Sequence, residues 1–321
     1  MLQDELDKEN INRNDEIIRI LNKVYQYFID GLFDEAVLAL EEALKINYEY
    51  EGITSALKYA NFWKERLIRL EEIFDNYERG EFLIKQWEQF SRFISQAGGI
   101  SEKGLFNLKQ FVYAQALENY RLLLEDADFL DYEILLKIGR CHKGLGNYEK
   151  AIEYMEAAMQ EKPGSAEIMA EVADCYSLIN DIRLSKIFFR EAFFIDPGTV
   201  NIHSLESGMI RKLIEKIKER GIPEAKINAW IPVYGTIFGV FNIKRELKSL
   251  EIGKLKQAVY QLEKAFNSTS ESISDLIPKL INHYFWLIDH YLSSGEDKSK
   301  IEEILLKIRD LDFTIYKEYT N

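Results

Sequence analysis

The stretch YEILLKIGRCHKGLGNYEKAIEYMEAAMQEKPGS, residues 132–165, is followed at once by AEIMAEVADCYSLINDIRLSKIFFREAFFIDPGT, residues 166–199. The two align without a gap at a period of 34 residues: Cys141 over Cys175, Gly139 over Ala173, Gly146 over Asn180, Tyr148 over Ile182. Ala151 then falls over Ser185, Ala158 over Ala192 and Pro163 over Pro197. A fixed period in this range marks a stacked-repeat solenoid, in which each unit buries its apolar face only against its neighbours. Gly146 and Asn180 stand where a first helix ends, since Gly or Asn supplies a left-handed residue there at little cost. Gly139 and Ala173 are small so that the first helix can cross the second closely, and Tyr148 and Ile182 fill the space under the turn. Ala151 and Ala158, matched by Ser185 and Ala192, keep the second helix thin, and Pro163 and Pro197 stop it.

These two copies resemble the tetratricopeptide repeat family. The resemblance implies an all-α fold, a right-handed solenoid of antiparallel helical hairpins, continued here by a C-terminal helical unit. Looser copies flank the central pair. GLFDEAVLALEEAL repeats the small-residue spacing with Gly31, Ala36 and Ala43, which gives a repeat at about 17–50. GKLKQAVYQLEKAF repeats it with Gly253, Ala258 and Ala265, as a hairpin at about 239–267. Two degenerate copies are expected within 66–131. One turns at Gly80 and Phe82 but has Lys85 and Arg92 at the small positions. The other uses Tyr113, Ala116, Tyr120 and Leu123 after a Gly98-Gly99 break. Residues 51–65 read as extra helix without repeat register. The expected organisation is an N-terminal segment 1–16, a solenoid 17–199 and a C-terminal unit 200–321, with a soft boundary at 200–222. In that last unit a helix at 203–220 ends at Gly221-Ile222-Pro223, and a pair at 273–293 and 297–310 caps the stack.

Bulk properties narrow the function. Only five prolines in 321 residues favour long helices. The richness in Ile, Asn, Lys and Glu suits a bacterial protein from an AT-rich genome. A formal net charge of −13 argues against a nucleic-acid partner, whose phosphates need a basic stripe. Lys212, Lys216, Lys218 and Arg220 do cluster, but Glu215 and Glu219 interleave with them as on any solvated helix face. Two cysteines make no disulfide framework and read as buried thiols in a reducing compartment. The opening MLQDELDKENINRNDE lacks the apolar core of a signal peptide, so a cytoplasmic location is expected. The longest uncharged run, 227–243, contains two Asn, one Pro and two Gly and is not read as a transmembrane segment.

No phosphate-binding glycine loop, nucleophile elbow or HExxH is present. His142, His203, His283 and His290 read as structural, the last two being about two helical turns apart, too wide to share a metal. A non-enzymatic protein with no cofactor and no metal is expected. The resemblance implies a concave surface lined by the second, fifth, ninth and twelfth positions of each first helix. In the N-terminal repeat these are Ile18, Leu21, Tyr25 and Phe28, a stripe able to take an amphipathic helix or extended peptide unless the chain's own helices cover it. In the central pair they include Arg140 and Lys143, which could hold a peptide carboxylate. Glu167 and Asp174 from the next copy oppose that, and an Arg140–Asp174 ion pair is the simpler reading. Trp230, Tyr234, Phe238 and Phe241 form the most unusual run. They read as a docking patch, a shallow membrane contact or an internal junction, with Gly235 and Gly239 on one smooth helix face. The expected role is a scaffold that docks one or more proteins and supports assembly of a larger complex. The alternatives are a peptide-recognising adaptor or co-chaperone and a structural subunit of a cell-envelope or motility apparatus, with self-association compatible.

Overall fold

The computed structural model describes residues 2–97, 101–125, 131–268, 273–295 and 298–321. Among them every regular element is helical and none is a strand, and helices adjacent in sequence pack as hairpins. This is the all-α architecture that the resemblance implies. The chain forms two compact units, residues 1–154 and 155–321. The expected soft boundary at 200–222 falls inside the second of them. The reason is a shared core: Ala173, Phe189 and Phe193 of the second repeat are buried together with Trp230, Phe241 and Phe285.

The first unit begins with α1 (Leu2–Asp30), which takes in residues 2–16 of the expected N-terminal segment. It continues with α2 (Phe33–Ile46), α3 (Glu51–Glu71), α4 (Asn76–Ala97), α5 (Glu102–Glu125), α6 (Tyr132–Gly144) and the start of α7 (Tyr148–Glu161). Phe28, Phe33, Leu40, Trp63, Phe90 and Tyr120 are among its largest fully buried side chains. One turn recurs at the expected glycines. After α1, Gly31 is left-handed (φ +73°) and Leu32 N–H donates to Tyr27 O at 2.9 Å. After α6, Gly146 is left-handed (φ +82°), with Asn147 N–H on His142 O at 2.9 Å and Gly146 N–H on Lys143 O at 3.0 Å. That pair of bonds satisfies carbonyls the helix end would otherwise leave open.

Between these turns the repeat reading fails. Gly80 is no turn: α4 runs through it for 22 residues and α5 for 24, against 13 and 14 in α6 and α7. Its lack of a side chain lets α4 approach the Tyr120 ring of α5. The proposed Gly98-Gly99 break lies outside the described residues. The extra helix expected over 51–65 is α3.

In the second unit α8 (Ala166–Leu178) and α9 (Ile182–Ile195) repeat the hairpin. Asn180 (φ +64°) is left-handed here, and Asp181 N–H donates to Tyr176 O at 2.8 Å. Helix α9 stops before Pro197, as expected, while Ile182 stays 40% exposed rather than filling space under the turn. Then follow α10 (Gly208–Glu219), α11 (Ile227–Ile237), α12 (Ser249–Ser268), α13 (Ile273–Ser294), α14 (Lys298–Leu311) and α15 (Phe313–Thr320). The hairpin expected at 239–267 is absent, because α12 passes through Gly253 and residues 242–248 form no helix. The smooth Gly235–Gly239 face is absent too. Helix α11 ends at Ile237, Gly239 is left-handed (φ +68°), and Gly235 instead makes room for the Phe241 ring. No helix of the described residues is long and apolar enough to cross a membrane.

Candidate functional site

The N-terminal stripe is largely taken up by the chain itself. Ile18 is 46% exposed, but Leu21 and Tyr25 are buried and Phe28 completely so. Helix α5 lies over them: Asn107 Nδ2 donates to Tyr25 O at 2.8 Å, and the Tyr25 and Ser101 hydroxyls are 2.7 Å apart. Leu21 meets α3 beside Gly52. Helix α5 thus covers part of the expected groove, while Leu21 and Tyr25 still line a pocket of about 420 Å³ with Tyr50, Glu51, Ser55 and Ser101.

Arg140 and Lys143 sit on α6, the first half-buried and the second buried. On α8, Asp174 is fully buried and caps the chain entering α10. It accepts from Glu206 N–H at 3.0 and 2.9 Å and from Ser207 N–H at 2.7 Å. A carboxylate holding backbone amides in this way explains why α10 starts at Gly208 rather than 203.

The aromatic run of α11 is mostly interior. Trp230, Tyr234 and Phe241 are buried and Phe238 half-buried. Phe241 stacks on Phe193 of α9 at 6.0 Å, and Asn228 Nδ2 donates to Pro197 O at 3.0 Å and Val200 O at 2.8 Å. Side chains and backbone thus tie α11 to the end of the second repeat. Phe238 faces cations, with Lys216 Nζ 5.0 Å and Arg220 Cζ 5.7 Å from its ring centre. His283, on α13, is buried with Nδ1 2.7 Å from Lys279 O, and burial lowers its pKa.

A pocket that sequence reasoning missed lies where α5, α6 and α7 meet. Arg121, His142, Lys150, Glu153 and Tyr154 line it with Leu117, around a volume of about 260 Å³. The His142 ring stacks on Tyr154 at 5.4 Å and 16°. His142 is only 7% exposed, and its buried Nδ1 has no hydrogen-bond partner among the described residues. Burial lowers its pKa first, and Lys150 and Arg121 lower it further, so the ring is held neutral. Among the described residues Arg121 makes exposed contacts with Glu118 at 3.8 Å and Glu125 at 3.7 Å on its own helix. His142 and Tyr154 were visible as types, but cations 29 positions apart carry no local signal.

The hairpin geometry around this pocket is now complete: capped start at Asp131, left-handed Gly146, buried Ala151 and Ala158, and an end before Pro163. Residues 132–165 match the family model described as Tetratricopeptide repeat. That segment is a tetratricopeptide repeat. Tetratricopeptide repeats are generally non-catalytic and belong to protein-interaction scaffolds. A stretch of 180 residues is also 24% identical to the protein described as "RNA-binding protein RMD9, mitochondrial", of Debaryomyces hansenii. The match takes in 51% of this chain and 28% of that relative, so the chain spans well under a third of its length. Similarity to an RNA-binding protein overturns the exclusion of nucleic acid drawn from net charge. The physical error is plain: a total of −13 says nothing of where cations gather, and a local field decides binding.

Proposed function

We propose that this chain is a non-enzymatic helical-repeat scaffold that docks partner proteins and supports assembly of a larger complex. The observation that carries the reading is the tetratricopeptide repeat at 132–165 with its companion hairpin at 166–199. Hairpins of this kind spread contacts over a long surface, where a few large side chains supply most of the binding energy. Large apolar side chains left in water support it, among them Phe74 at 93% exposed and Ile68 at 58%.

A second reading, contact with RNA, is favoured by the similarity to the RNA-binding relative. The experiment that separates them is crosslinked copurification of the whole chain from its native cell, with and without ribonuclease. A protein recovered in fixed ratio and retained after ribonuclease supports the scaffold. Crosslinked RNA, with proteins lost on digestion, supports the second reading. A chain that recovers neither sinks both.

A further inference from the structure

The pocket between α5, α6 and α7 has the chemistry of a single anion site. Arg121 and Lys150 bring two cations to its wall, beside Glu153 in the lining and with Glu118 and Glu125 at 3.8 and 3.7 Å from Arg121. A phosphodiester, with a single negative charge, asks less of such a mixed wall than a dianionic phosphate monoester does. Among the described residues Lys150 has no carboxylate partner, while the buried His142 Nδ1 is without a hydrogen bond. Buried polar atoms left unmet in this way are rare in proteins and call for a partner. The stacked His142–Tyr154 pair adds a half-buried aromatic ring beside the cations. Cations with a neighbouring aromatic ring are what single-stranded nucleic acids engage, the phosphate on the charge and the base on the ring.

We propose that the pocket lined by Arg121, His142, Lys150 and Tyr154 binds one phosphodiester of single-stranded RNA, with the adjoining base against Tyr154. This rests on the RNA reading above. Phosphate oxygens lie between the Arg121 guanidinium and the Lys150 ammonium, and the neutral imidazole and the Tyr154 hydroxyl supply further polar contacts. Glu153, exposed beside the pocket, disfavours the second negative charge of a phosphate monoester.

The test uses the whole chain and a fluorescein-labelled pool of random 20-mer RNA, with binding followed by anisotropy across a salt series. Arg121→Gln/Lys150→Gln is expected to weaken binding at least tenfold and to lower the salt slope, since fewer counterions are released. Tyr154→Leu is expected to weaken binding several-fold with the slope unchanged, because stacking releases no ions. Lys212→Gln/Lys218→Gln, on the exposed face of α10, is expected to bind as the unaltered chain does. Circular dichroism melts confirm that each variant folds. An unaltered chain that binds no RNA overturns both this site and the RNA reading. RNA binding that the Arg121/Lys150 change leaves intact overturns the site alone. Binding of a random phosphoserine-peptide pool in place of RNA overturns the proposal in favour of a phosphoprotein partner.

Discussion

Gly80 lies directly against the ring of Tyr120, where an added β-carbon would sit 2.5 Å from both Cε1 and Cζ. The ring cannot swing away freely, because its hydroxyl donates to Glu81 Oε1 at 2.6 Å, and Lys137 Nζ holds the same oxygen at 2.6 Å. Gly80→Ala gains about 1 kcal/mol of helix propensity. It loses about 1–3 kcal/mol to overpacking. The expected net result is a lower urea midpoint, and a higher one would show that the α4–α5 contact yields.

Asp289 is the buried anchor of the second unit. It pairs with Arg190, itself 5% exposed, and with Lys244. Arg190 also donates to Ile243 O at 3.0 Å and lies 4.3 Å from the Trp286 ring centre. Asp289→Ala strands a buried guanidinium and is expected to cost about 3–5 kcal/mol. Lys244 is half in water, so Lys244→Ala should cost no more than about 1 kcal/mol. Urea unfolding of the two variants checks the ranking, and equal costs would contradict it.

The recurrent turn gives a paired test. Gly146→Ala forces a β-carbon onto a left-handed backbone and should cost about 1–2 kcal/mol. Asn180→Gly at the matching position relieves the same strain and should change stability far less. Thermal melts of both variants decide it.

Stability should fall as pH drops below neutrality. The unfolded His283 side chain takes a proton near pH 6.5, roughly. In the folded chain burial lowers its pKa, so the native ring resists protonation. Below the unfolded value the unfolded state binds more protons, and stability is lost progressively down to the folded value. His142 acts in the same direction. Urea midpoints between pH 7.5 and 5.5 should decline, and His283→Gln should flatten that slope whatever it does to absolute stability.

Both cysteines are free and buried, and burial pushes the Cys141 thiol up to about 12. Ellman's reagent at pH 8 should find neither in the folded chain and both in urea. Rapid labelling of the folded chain would show that α6 opens locally.

The helical-hairpin pattern was legible wherever a turn had to be left-handed. Gly31, Gly146 and Asn180 announce it because only that conformation closes the helix end, and the requirement is local. Gly253 has the same small residues at the same spacing, and Gly80 a like place with Lys85 and Arg92 instead, yet one sits in the first turns of α12 and the other serves close packing. Spacing alone cannot tell a glycine that turns from one that makes room. The stripe of Leu21, Tyr25 and Phe28 was legible as apolar, but its cover, α5, begins 74 residues after Phe28. The Arg121–Lys150 pocket was invisible for the same reason: it exists only once three helices have met.

The non-helical stretch 242–248 is fastened by cationic side chains as well as by Leu247 packed on the core. Lys186 Nζ reaches Gly239 O at 3.3 Å and Asn242 Oδ1 at 3.1 Å, and Arg245 NH2 spans Glu191 at 3.2 Å and Glu251 at 2.8 Å. Behind these exposed ties, Arg190 grips Ile243 from the interior. Concentrated salt weakens the outer ties while leaving buried pairs nearly untouched. Ionic strength is therefore a variable that loosens the outer ties of this seam. Its amides would exchange with solvent stepwise, from 244–245 inward to Ile243, while α9 and α13 on either side remain protected. The second unit thus carries a seam whose outer ties yield to salt before its buried ones.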